Sequence, residues 1–161
     1  MTFMLAAAVP AEIAQLQSAL LAASSATAVL QAHCPADRIR AVRKRTVGKN
    51  APPSITARLA LTGAETVRYR RVRLMCGKAL YSDADNWYVP ERLTPAMNSL
   101  LNESEVPFGR VIAPLKATRQ TLAVRQGHGR RILVIEAVLT SEAGAPLSGV
   151  IERYQRAILT K

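Results

Sequence analysis

Arg68–Pro90, RYRRVRLMCGKALYSDADNWYVP, is the stretch whose reading decides the fold. From Val67 to Cys76 the side chains are β-branched, aromatic or long, the types that suit a pleated surface. Gly77-Lys78 supplies a reversal, because glycine accepts positive φ. Ala79 to Val89 then reads as the returning strand, and Pro90 closes it by withholding an N–H. Residues two apart share a face of a strand. Val67, Tyr69, Arg71, Arg73 and Met75 therefore fall on one side, and Arg68, Arg70, Val72, Leu74 and Cys76 on the other. Arg71, in the company of Tyr69 and Met75, is the first sign of chemistry: a guanidinium is costly to bury unless it meets an anion, and that anion can be a ligand. Trp87 and Tyr88 alternate as well, so one is expected in the core and the other toward solvent or a partner.

Composition frames this hairpin. A chain of 161 residues, 49% of them hydrophobic, is expected to fold as one domain, residues 1–161, with a substantial core. The formal net charge is +11, and no Lys or Arg precedes Arg38, so anionic partners are expected. Cys34 and Cys76 stand far apart, outside any CxxC or His/Cys cluster. That argues against a metal site and against a disulfide framework. Cys76 is expected as a small core hydrophobe in a reducing cytoplasm. The opening MTFMLAAAVPA has no basic flank of the kind a cleaved signal carries, and no run is long and apolar enough to span a membrane.

In chain order, Pro10 and EIAQLQSALLAA predict a helix with an Ile13, Leu16, Leu20, Leu21 stripe. Ser25 is placed to cap a second, short helix, Ala26 to Ala32. A basic strand, Arg38 to Val47, follows, then the KNAPPS loop and a helical turn from Ser54 to Leu61. After the hairpin, Thr94 as N-cap and Pro95 at the first helical position predict a helix through Leu101. Val106-Pro107-Phe108-Gly109 is a turn that opens a further helical turn. Strands are expected at Thr118–Gln126, Arg130–Thr140 and Leu147–Leu159, the last with Glu152 in phase with Val150, Tyr154 and Arg156. The fold class is α+β: an antiparallel sheet of about six strands with helices packed on it.

Absent motifs exclude much. There is no Walker loop, GxGxxG, HExxH or GxSxG, and the only histidines are His33 and His128. Aromatic content of 4% is thin for stacking on single strands, and no base-reading motif is present, so nucleic acid ranks last among the anionic partners. The remaining chemistry must come from Arg, Glu and shape.

The hairpin, the VPFGRV segment after a TPxM helix, the Thr118-Arg119 pair opening the next strand and a Glu in the last strand together resemble the chorismate pyruvate-lyase family. The same fold serves as the effector-binding domain of GntR-type transcription regulators. The resemblance runs from the SSAT segment near Ser25 to the final strand. It implies a closed pocket between sheet and helical flaps, with no metal and no cofactor, in which chorismate loses pyruvate to give 4-hydroxybenzoate, as in ubiquinone biosynthesis. It implies that Arg71, by its distance from Cys76 and Pro90, binds a substrate carboxylate, and that Glu152 orients the ring hydroxyl. Phe108 and Gly109 take the place of a pocket-lining Leu-Gly, and Arg119 matches the arginine of the TR pair. Thr27 and Ala26 lie in the capping segment, with Ala26 where the lyases carry a methionine that touches product. A smaller side chain there enlarges the pocket. The alternative is a non-catalytic domain of the same fold that binds an aromatic carboxylate. A regulator of the usual kind would also need a winged-helix domain, for which this length leaves no room.

The chemistry fits these residues. Chorismate carries two carboxylates, which calls for at least one bidentate arginine in a dry pocket. Its elimination creates an aromatic ring and can proceed through a cyclic, concerted loss. The protein's task is then orientation and exclusion of water rather than strong base catalysis.

Overall fold

A computed structural model describes residues 9–160. The reading of the opening segment as lacking a cleavable signal falls largely on residues 1–8 and lies outside the described residues. Helices α1 (Ala11–Ala22) and α2 (Ala26–Ala32) lead to strand β1 (Arg40–Lys44) and helix α3 (Pro53–Leu59). The hairpin β2 (Arg68–Cys76) and β3 (Ala79–Tyr88) follows, then α4 (Pro95–Glu103) and the single turn α5 (Phe108–Val111). Strands β4 (Thr118–Gln126), β5 (Arg131–Thr140) and β6 (Pro146–Gln155) complete the sheet, and a 3₁₀ turn, Arg156–Leu159, ends the described chain.

The six strands run in the order β1-β2-β3-β6-β5-β4, every pairing antiparallel. Two groups of consecutive strands, β1-β2-β3 (with α3 between β1 and β2) and β4-β5-β6, meet where β6 pairs with β3. This junction sets Ala84 opposite Glu152 and Asn86 opposite Val150, and so places Glu152 of the last strand beside the hairpin.

Local chemistry starts the helices where the sequence predicts. Ser25 Oγ accepts from Ala28 N–H at 3.3 Å, and Thr94 Oγ1 accepts from Met97 N–H at 3.2 Å, each satisfying an N–H that the first turn leaves open. Ile13, Leu16 and Leu20 of α1 and Leu30 of α2 are buried against the sheet. Full burial of each leucine contributes about 2 kcal/mol. Helices α1, α2, α4 and α5 cover one face, over Leu133, Ile135, Ala137 and Val150.

Helix α3 covers part of the other face. Ile55 and Leu59 pack on Trp87 and Val89, and a Cβ on Gly149 would lie 2.2 Å from Ile55 Cγ2, so only glycine lets α3 settle there. This second layer corrects the expectation for Trp87 and Tyr88. Both are buried, Tyr88 under the main helical layer and Trp87 under α3, with Trp87 Nε1–H donating to the Lys49 carbonyl at 2.7 Å.

The cysteines require a second correction. Cys34, just after α2, and Cys76, at the end of β2, form a disulfide with Cα atoms 5.9 Å apart. They were expected as separate thiols because nothing local in the sequence pairs residues 42 positions apart. Packing of α2 over the end of the hairpin brings them together. The expectation of a reducing cytoplasm rested on unpaired thiols and loses that ground, since disulfides persist mainly in oxidising compartments. No helix among the described residues is long and apolar enough to cross a membrane.

Candidate functional site

On the helix-covered face lies a small, partly open cavity of about 50 Å³. Its floor is the sheet: Val72 and Leu74 of β2, Ala84 and Asn86 of β3, Val150 and Glu152 of β6. Its roof is the start of α2, Ser25 to Thr27, and the start of α5, Pro107 to Gly109. The lining is mostly apolar, and the small side chains of Ala26 and Ala84 leave the space open.

Arg119 and Glu152 form the polar wall. Arg119 opens β4, whose first pairings set it on the cavity face, and its side chain is only 2% exposed. Its Nη1 donates to Glu152 Oε1 at 2.9 Å, and its Nη2 donates to Oε2, a two-pronged ion pair. Tyr154, two residues along β6 and fully buried, donates its hydroxyl to the same Oε2. Burial, and after it the Glu152 charge, push the Tyr154 phenol well above its usual range, so it remains a donor. Burial works against the Arg119 charge, and the Glu152 carboxylate more than restores it. Asn86 is buried on the floor, its Oδ1 taken by the Ser148 hydroxyl.

The roof closes by a tight approach. A Cβ on Gly109 would lie 3.1 Å from both Ser25 Oγ and Thr27 Oγ1. Glycine at this position lets α5 rest on the N-terminus of α2.

Six of the seven residues singled out from the sequence come together here: Ala26, Thr27, Phe108, Gly109, Arg119 and Glu152. Arg71 does not. It lies on the opposite face, where its Nε and Nη2 donate to the two Asp83 oxygens at 2.9 and 2.8 Å. The misplacement comes from counting back from the turn. Alternation along β2 is unbroken, since the extra residue at the register shift is Tyr81 on β3, so Arg71 stays out of phase with Val72 and Leu74 of the cavity floor.

The arginine on the cavity face is Arg70. It stands directly opposite Asn86, is 8% exposed, and its Nε, Nη1 and Nη2 are all buried without a hydrogen-bond partner. Burial pulls its pKa down to about 10, which leaves it charged at neutral pH. The alternation listed Arg70 with Val72 and Leu74, and that apolar company was the signal for the buried face. Among the described residues no cluster of His, Cys, Asp and Glu could hold a metal ion.

No protein-family model matches the chain. It is 34% identical over 174 residues to the uncharacterized protein y4mC of Sinorhizobium fredii (strain NBRC 101917 / NGR234), covering 89% of this chain and 73% of that protein. The chain belongs to the y4mC family. Solved structures extend the comparison to the fold of this y4mC relative. The ligand-binding domain of a Bordetella bronchiseptica protein assigned to the GntR regulators superposes with a TM-score of 0.53 at 18% identity, over 74% of this chain and 83% of that one. A GntR-family transcriptional regulator from Enterococcus faecalis V583 gives 0.53 at 12% identity, over 75% and 96%. The gene product SA0254 of Staphylococcus aureus subsp. aureus N315 gives 0.52 at 14%, over 73% and 83%. At these identities the likeness is one of fold, and it matches the effector-domain fold that the sequence resembles.

Proposed function

We propose that the cavity binds a small aromatic or pre-aromatic carboxylate bearing a hydroxyl group at its far end. The observation that carries this reading is Arg70, a buried guanidinium with three unpartnered nitrogens, on the cavity's face of the sheet and paired across the strands with Asn86 of the cavity floor. Arg70 itself lines the adjoining pocket with Lys44 and Glu103, so a ligand reaching it extends past the present cavity. A buried cation without an anion is unfavourable, so the fold holds an anion site in reserve. Glu152, with Arg119 behind it, supplies an acceptor at the opposite end. Arg70 and Glu152 stand two strands and two residues apart, about 12 Å between Cα atoms by sheet geometry. With both side chains reaching inward, that separation suits one six-membered ring with polar groups at each end. Phe108 and the small Ala26 and Ala84 supply its apolar walls. The present volume falls short of the roughly 300 Å³ at which ligand pockets begin, so binding requires the roof segments to give way.

The finer reading is elimination of pyruvate from chorismate. In that case Arg70 takes over the carboxylate role expected of Arg71, Glu152 keeps the ring hydroxyl, and the closed roof excludes water. One experiment addresses both readings. Titration of the purified protein with 4-hydroxybenzoate is expected to give saturable one-to-one binding, weakened at least tenfold by Arg70→Met and by Glu152→Gln. Absence of saturable binding up to millimolar ligand overturns the proposal. Incubation with chorismate then separates the readings: equal release of pyruvate and 4-hydroxybenzoate makes the protein a lyase, and binding without turnover makes it a ligand-binding domain.

A further inference from the structure

The cavity occupies one face of the sheet, and the opposite face carries charge that a single small ligand does not require. Cross-strand pairing places Val42, Arg73, Asp83, Arg153, Val134 and Arg125 in one row over all six strands, on the face away from the cavity. The adjacent row adds Lys44 and Arg71, and Arg131 stands on the far side opposite Gln155. The row lies beyond α3, whose Ile55 sits over Gly149, four residues before Arg153.

The acids on this face are already engaged. Asp83 is held by Arg71, Asp85 by Tyr69, Lys49 and Arg153, and Glu136, buried in the adjacent row beneath α3, accepts from the Ser54 hydroxyl. Lys44, Arg73, Arg125, Arg130 and Arg131 make no ion pair among the described residues. Arg73 Nε and Arg153 Nη1 are buried donors with no acceptor. At the β4–β5 end, Arg125, His128, Arg130 and Arg131 line an open groove of about 440 Å³.

We infer that this face binds the phosphate backbone of duplex nucleic acid. Arginines rather than lysines dominate it, and the planar guanidinium fork matches phosphate oxygens in pairs. Arg73, Arg153 and Arg125 sit two strands apart in turn, so the row spans about 19 Å. A duplex carries one charge per about 1.7 Å of its axis, which sets on the order of ten phosphates along that span.

Other occupants fit less well. The row's two apolar residues, Val42 and Val134, are partly buried and isolated among charges, and none of the exposed large hydrophobic residues lies in it, so a membrane would find no apolar patch to enter. A second copy packed on the same face would oppose like charges. Single strands would lack a platform, because Tyr69 is packed against Trp87 with ring centroids 5.5 Å apart and its hydroxyl is held by Asp85. The sequence argument against nucleic acid rested on missing base-reading motifs, and contact with the backbone needs none.

The test is fluorescence anisotropy of the full chain with a short random-sequence duplex across a salt series. With five unpaired cations engaged, affinity should fall about 500-fold between 50 and 200 mM salt. Arg125→Glu with Arg131→Glu, both at exposed positions, should weaken binding at least 30-fold and flatten the salt dependence. Arg38→Glu with Lys116→Glu changes the net charge equally on the cavity side and should weaken it only a few-fold. Absence of binding at 50 mM salt overturns the inference. So does equal weakening by the two double variants, or tighter binding to anionic lipid vesicles than to duplex.

Discussion

Arg119 and Glu152 face each other across β4 and β6 as a two-pronged ion pair, although β5 lies between those strands. Their side chains bridge the intervening strand under the roof, and each is almost removed from water. Breaking such a pair leaves an uncompensated buried charge, at a cost of about 3–5 kcal/mol, whereas replacing both partners with apolar residues costs far less. Arg119→Ala and Glu152→Ala should each lower urea stability by that amount, and Arg119→Met with Glu152→Leu should recover most of it. Additive single effects in the double-mutant cycle would show that the pair is not a unit.

Arg70 should behave in the opposite way. It has no partner to lose, so Arg70→Met should stabilise the ligand-free protein by about 1–4 kcal/mol. The same change should remove binding of 4-hydroxybenzoate. Arg71→Met, which breaks the bidentate pair with Asp83, should leave that binding unchanged. Measured together, the unfolding midpoint and the binding isotherm distinguish a reserved anion site from a structural arginine.

Gly109→Ala should push α5 away from α2. The added methyl meets Ser25 Oγ and Thr27 Oγ1 at 3.1 Å, closer than ordinary contact, and overpacking of this kind costs about 1–3 kcal/mol. Thr27→Ala introduced alongside should return part of the loss. Denaturant midpoints of the two single variants and the double variant measure the coupling.

Asp85 should set part of the acid limit of the fold. Burial by itself raises its pKa, but hydrogen bonds from Tyr69, Arg153 and Lys49 hold it down at about 2. The unfolded chain therefore takes up the proton at higher pH than the folded one. The stabilisation is fully present above the unfolded value near 3.8 and is lost as pH falls toward 2. It is on the order of 2 kcal/mol. Asp85→Asn should lower stability at neutral pH and flatten its decline between pH 4 and 2, as followed by unfolding midpoints across that range.

Removal of the disulfide should cost about 4 kcal/mol on chain-entropy grounds, given the 42-residue separation it closes. The expected result is a lower unfolding midpoint for Cys34→Ser with Cys76→Ser, and for wild type under reductant, by the same amount in each.

The central hairpin, the two capped helices and the strand positions were legible because each rests on local signals: alternation, a turn glycine, a side-chain cap, a proline at the first helical position. The roof and wall residues, from Ala26 to Glu152, were legible through spacing shared with a known family. What escaped depends on long-range geometry. Distances from Cys76 and Pro90 point to Arg71, and which face of β2 is covered by helices decides for Arg70 instead. Alternation sends one of Trp87 and Tyr88 toward solvent or a partner because the short α3 carries too weak a pattern to announce a second layer. The Cys34–Cys76 bond needs the docking of α2 to be known before it can be seen.

That bond also fixes how the cavity can open. Helix α2 is tied to the sheet just beyond its C-terminal end, while its N-terminal end bears Ser25, Ala26 and Thr27 over the cavity. Seven residues make a rigid arm about 10 Å long. The roof is therefore a lever with a covalent fulcrum: a tilt of about 10° at the tethered end lifts the tip by roughly 2 Å on that arm. Movement is largest at the three residues that roof the cavity and smallest where the helix meets the hairpin, so the mouth can widen while the core beneath α1 stays sealed.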